Sequence, residues 1–204
     1  MRAPTKLVFL PGAGGSPSFW APVASRIAAP PRRALLGWPG FGDVPHDPSV
    51  RGLDDLVARV VAEIDQPCAL IAHSMGGVVA LRAALTAPER VTHLVLAVTS
   101  GGVDVRALGA ADWRADFVAS RPRAPRWFVD DRTDLSDALA RVSAPTLLVW
   151  ASNDPISPVA VGERLAASLP RASLRVVEGA DHDVAVTHPD LVASWIDLHL
   201  HGDP

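Results

Sequence analysis

The chain has 204 residues, 49% of them hydrophobic and 20% charged, with a formal net charge of −3. That length and balance suit one compact domain able to enclose a full core. The densest basic pair is Arg32-Arg33, which argues against nucleic acid or an anionic membrane as the main partner.

At the N-terminus, Leu7-Val8-Phe9-Leu10 is too short for the apolar stretch of a signal peptide and is followed at once by Pro11-Gly12. No run of about 18 apolar residues follows, so no membrane insertion is expected. The expectation is a soluble cytoplasmic protein, monomer or homo-oligomer. In chain order, β-rich apolar runs fall at residues 6–10, 34–38, 68–73, 93–98, 145–150 and 173–177. Cys68, the sole cysteine, opens the third run and reads as a buried structural thiol. Helical patterns separate most of the runs. Ser16-Pro17 and Ser157-Pro158 each look like an N-cap serine followed by proline at the first helical position. From Leu53 to Ile64, and again from Leu191 to Leu198, apolar residues recur at spacings of three and four, one face of an amphipathic helix. A helix is also expected over 134–142.

The strand runs are almost continuously apolar rather than alternating, as in a parallel sheet covered by helices on both faces. The alternation of strands and helices therefore predicts a doubly wound α/β fold of about six mostly parallel strands, a single domain over residues 1–204. Residues 101–131 break the rhythm: no strand is evident, and Trp113, Phe117, Trp127 and Phe128 are concentrated there. This stretch is expected to form a small helical cap whose aromatics either wall a substrate pocket or anchor the cap to the sheet.

The chemistry centres on Leu70-Ile71-Ala72-His73-Ser74-Met75-Gly76-Gly77, which leads from a strand into the helical run 78–85. A strand, a serine flanked two residues away by very small side chains, then a helix is a nucleophile elbow, a turn so tight that only small neighbours fit. It sets Ser74 at a helix N-terminus, where free amides favour developing negative charge. Two further candidates follow later strands: Asp154 in Asn153-Asp154-Pro155-Ile156, and His182 in Gly179-Ala180-Asp181-His182. Serine, acid, histidine is the chain order such a triad takes. All three residues lie just past the carboxyl end of a strand, the edge where open α/β sheets bind ligands. Asp104, after the fourth strand, is the rival acid, with poorer local context. His73 is expected to point away from Ser74, because adjacent strand residues face opposite sides.

These pieces, together with Leu10-Pro11-Gly12-Ala13-Gly14-Gly15, Phe19-Trp20 and Trp38-Pro39-Gly40-Phe41-Gly42, resemble the α/β-hydrolase superfamily from about residue 6 to residue 200. The resemblance implies an oxyanion hole formed by the backbone amides of Met75 and Ala13. Relatives often carry His-Gly where this chain has Pro11-Gly12, and they usually begin with an antiparallel strand pair and have a larger cap. The chain thus looks like a minimal member.

Other readings are weaker. In the glycine loop the third glycine of a dinucleotide fingerprint would fall at Pro17, and no Gly-Lys-Ser/Thr follows. Asp181, His182, Asp183 and His188 lack a second, distant set of metal ligands, so neither metal nor cofactor is expected. His46, His93, His199 and His201 carry no pattern. The expected function is hydrolysis of a small, largely apolar ester or thioester through an acyl-enzyme. Carbon–carbon hydrolysis, a lyase step, perhydrolysis and ligand binding without catalysis are the alternatives. A haloalkane or epoxide hydrolase would need a carboxylate where Ser74 stands.

Overall fold

The computed structural model describes residues 3–28 and 32–202. Its six strands are β1 (Lys6–Leu10), β2 (Arg32–Leu35), β3 (Cys68–His73), β4 (Val91–Ala97), β5 (Thr146–Ala151) and β6 (Ala172–Val177). They form one sheet in the order β2-β1-β3-β4-β5-β6, every neighbouring pair parallel. The helices are α1 (Ala21–Ala24), α2 (Leu53–Glu63), α3 (Met75–Thr86), α4 (Arg114–Ser120), α5 (Trp127–Asp130), α6 (Val159–Ser168), α7 (Val184–Thr187) and α8 (Pro189–His201). This is the doubly wound α/β sheet that the alternation predicts.

Every residue of β1, β3 and β5 is buried, as continuous apolar runs require when helices cover both faces. Edge strand β6 instead alternates exposed and half-buried residues over most of its length. From β1 the chain moves outward to β2, then crosses back so that β3 lies on the other side of β1. The carboxyl ends of β1 and β3 therefore flank a topological switch point, where a crevice opens.

Four elements differ from expectation. The second strand runs over Arg32–Leu35, in register with Lys6–Phe9, rather than over 34–38. Trp38 lies beyond it, 1% exposed, and its indole N–H donates to the Pro11 carbonyl at 2.8 Å. The fourth strand begins at Val91 and ends at Ala97, one residue before Val98, whose φ is 39°. Residues 134–142 form no continuous helix, only a 3-10 turn at Leu139–Arg141. There the Asp134 carboxylate accepts the Ser136 N–H, and Ala138 and Leu139 both donate to Leu135 O, so the stretch makes isolated turns ahead of the 3-10 segment. Finally, Ser157 does not cap α6; its hydroxyl turns inward to the Thr99 carbonyl, and Pro158 takes the N-cap position. Ser16 does behave as expected, accepting the Ser18 N–H ahead of the 3-10 turn Pro17–Trp20 that leads into α1.

Candidate active site

β3 delivers the chain to His73, and α3 begins at Met75, so the whole reversal falls on Ser74, at φ 51° and ψ −121°. A non-glycine residue rarely occupies that region unless its surroundings enforce it. Here the Ser74 N–H donates to Ala97 O at the end of β4, and the Ser74 carbonyl accepts the Gly77 N–H, both at 2.9 Å. A Cβ on Gly76 would lie 2.5 Å from Pro11 O and 2.8 Å from Leu10 O. The small residue two places after the serine is thus demanded by the end of β1, on which the elbow rests.

Two loops bring the partners. His182 Nε2 lies 3.0 Å from Ser74 Oγ, and His182 Nδ1 lies 2.7 Å from Asp154 Oδ2. The Asp154 side chain is fully buried, and its second oxygen accepts the Ile156 N–H at 2.8 Å. A buried carboxylate so flanked assigns the imidazole proton to Nδ1, leaving Nε2 to accept the serine hydroxyl. Asp104 stands elsewhere: its carboxylate accepts the Arg106 N–H on the exposed side of its loop.

Residues 7–195 match the alpha/beta hydrolase family. The chain belongs to it. A pimeloyl-[acyl-carrier protein] methyl ester esterase from Aeromonas salmonicida is 28% identical over 230 residues, spanning 90% of each chain. RutD of Serratia proteamaculans, a carbamate hydrolase by name, is 28% identical over 244 residues, covering 95% of this chain and 91% of the relative. Among solved structures, a thermophilic esterase from Thermogutta terrifontis superposes with a TM-score of 0.79 at 20% identity, covering 95% of this chain and 88% of its own. A hydrolase from Pseudomonas aeruginosa PA01 gives 0.77 at 24%, covering 98% and 91%.

The loop after β1 borders the serine. A Cβ on Gly12 would sit 3.0 Å from Ser74 Cβ, so this glycine permits the close approach. Indole N–H groups brace the same loop from below: Trp20 donates to Leu10 O at 2.9 Å and Trp38 to Pro11 O at 2.8 Å. With those carbonyls held in the core, Gly12 and Ala13 come next at the crevice, and Ala13 lines it together with Met75. Met75 opens α3, so its amide has no helical carbonyl one turn back.

The crevice is a cavity of about 600 Å³ that contains Ser74 and His182. Trp113, Phe117 and Phe128 from the cap line it, with Val105 and Ile156. Trp127, the fourth aromatic, does not; it packs edge-on against Phe41, in the loop after β2, and against Phe128. Three of the four cap aromatics thus line the cavity, and the fourth packs outside it.

His73 packs beside the site: its ring centre lies 4.9 Å from that of His182 and 4.3 Å from that of Phe19, and its Nε2 lies 2.9 Å from the His182 carbonyl. Burial, and then the neighbouring His182, push its pKa down to about 3, so it remains neutral and donates from Nε2. The structure also brings in Thr99, which carries no sequence motif, and Ser157, which the sequence marks only as a helix cap; together they bridge the elbow and the acid loop. Asp183, by contrast, sits exposed with its N–H on the Asp181 carboxylate, and His188 contacts the Thr187 hydroxyl.

Proposed function

We propose that this alpha/beta hydrolase cleaves a small, largely apolar ester or thioester through an acyl-enzyme. The observation that carries the reading is the continuous contact from Ser74 Oγ through the His182 imidazole to the buried Asp154 carboxylate, 3.0 and 2.7 Å. Ser74 Oγ attacks the substrate carbonyl while its proton passes to His182 Nε2. Asp154 holds the imidazole in the right tautomer and stabilises the cation that forms. The Met75 and Ala13 amides receive the oxyanion. As the tetrahedral intermediate collapses, His182 returns the proton to the departing alcohol or thiol. Water then attacks the acyl-Ser74 with the same base, releasing the acid. Every step uses groups of the chain and water.

The cavity supports the substrate class. A volume of about 600 Å³ lies within the range of small-molecule sites. Its cap wall of Trp113, Phe117 and Phe128 favours an uncharged, short to medium acyl group over a long lipid chain. The esterase and carbamate hydrolase relatives by name also act at carbonyl carbons, consistent with attack by an activated serine. A panel of p-nitrophenyl esters and acyl thioesters of graded acyl length tests this. Turnover of the shorter members that disappears in Ser74→Ala is expected. Hydrolysis that persists in Ser74→Ala would reject the reading.

A further inference from the structure

Among the described residues only two other than glycine take positive φ: Ser74 at 51° and Val98 at 39°. The first belongs to the elbow. The second is a β-branched side chain, for which this region is a genuine outlier, and it lies 1% exposed just past β4. Such a conformation persists where its surroundings over-determine it, and the next residue carries a contact to the elbow. Thr99 is fully buried, and its hydroxyl donates to the Ser74 carbonyl at 2.6 Å. Its own carbonyl accepts the hydroxyl of Ser157, 2% exposed, at 3.0 Å. The first turn of α3 is seated on the same residue, since a Cβ on Gly77 would lie 2.4 Å from Thr99 Oγ1. Ser157 belongs to the loop that carries Asp154, and the Trp150 indole N–H fixes the Ser157 carbonyl at 2.9 Å.

We propose that Thr99 and Ser157 are positioning residues that tie the nucleophile elbow to the acid loop and aim the Met75 amide. The reason lies in peptide geometry. The Ser74 carbonyl and the Met75 N–H belong to one planar, trans peptide unit and point in opposite directions. A hydrogen bond that pulls the oxygen toward Thr99 therefore turns the N–H the other way, toward the crevice. With the Gly77 N–H on the same oxygen, rotation of that unit is resisted from two sides, and both Ser74 Oγ and the amide keep their direction. Ser157 continues the tie to the loop of Asp154, so serine and acid are held in one frame. This inference rests on the reading of Ser74 as nucleophile and Met75 as an oxyanion donor.

The test compares Thr99→Val, which exchanges the hydroxyl for a methyl of the same shape, with Thr99→Ser, which keeps it, and with Ser157→Ala. Hydrolysis of p-nitrophenyl acetate and the rate of fluorophosphonate labelling at Ser74 are read alongside thermal melting. Thr99→Val is expected to lose about 10- to 100-fold in kcat with KM within about twofold, and to label correspondingly slowly, as misplacement of a catalytic group does. Thr99→Ser should recover most of both rates. Ser157→Ala, one bond further out, should lose about 3- to 10-fold in kcat. A folded Thr99→Val that melts lower but keeps kcat and labelling rate within about twofold of the parent overturns the proposal. Should Thr99→Val fail to fold, an unchanged kcat in Ser157→Ala overturns it, and the expected loss supports it. Failure of the wild-type chain to label at Ser74 would instead reject the serine-hydrolase reading, before any Thr99 variant is measured.

Discussion

The carboxylate of Asp154 and the imidazole of His182 meet at 2.7 Å although 28 positions separate them in the chain. They do so because β5 and β6 are adjacent, parallel and in register from Thr146↔Ala172 to Ala151↔Val177, so the loops leaving their carboxyl ends emerge side by side. The Asn153 N–H, donating to Ala180 O at 2.9 Å, then ties one loop to the other.

Asp154→Asn should lower kcat by about ten-thousand-fold with little change in KM, since the acid orients the base and does not touch substrate. Asp104→Asn should leave kcat within about twofold, because its carboxylate serves only the backbone of its own loop. Steady-state kinetics on one ester decides; a larger loss in the Asp104 variant would reassign the acid.

Stability should fall with acid, and the buried histidines set the sign. His73 goes from 6.5 to about 3, through burial first and His182 second. His93 goes to about 4, again through burial first, then through His199 and Arg171. Both folded values lie below the unfolded one, so between them the unfolded chain binds protons that the folded chain refuses. Their contribution is full above pH 6.5 and is lost as the pH falls toward those values. Chemical denaturation at several pH values should show a decline approaching about 1.4 kcal/mol per pH unit for each such group. His93→Phe, which keeps an aromatic ring edge-on to His199, should reduce the slope between about pH 6 and pH 4. An unaltered slope would show that His93 does not contribute to it.

The cap aromatics should separate by role. Trp113→Ala should change the ranking of esters by acyl length, because Trp113 lines the cavity in a stack with Phe128, ring centres 5.0 Å apart. Trp127→Ala should preserve the ranking and lower the melting temperature, since its ring packs against Phe41 outside the cavity. Ester panels and melts on both variants check the division; a ranking shift in Trp127→Ala alone would reverse it.

Much of this arrangement is legible in the sequence because two of its signals are strict. Unbroken apolar runs name the buried strands of a parallel sheet, and the steric demands of the elbow mark Ser74 by the smallness of Ala72 and Gly76. Asp154 and His182 are visible through their places after strands. The extent of a short helix is not: the pattern of 134–142 suggests a continuous one, and the chain makes only turns and the 3-10 segment Leu139–Arg141 there. Nor is the use of a hydroxyl legible: the Ser-Pro pair makes Ser157 look like a helix cap, while its hydroxyl donates to Thr99 O. Thr99 carries no motif at all; only the fold shows its hydroxyl on the Ser74 carbonyl. Trp113 and Trp127 look alike in sequence, and only the packing of α4 and α5 tells wall from anchor.

The assignment of Ser74 as nucleophile is decided by labelling the wild-type chain with a fluorophosphonate, followed by peptide mass spectrometry, with Ser74→Ala in parallel. One adduct is expected, on Ser74, together with loss of label and a fall of about three to six orders of magnitude in kcat in the variant, which should remain folded. An adduct on another serine, or a Ser74→Ala chain that keeps its turnover, would contradict that assignment.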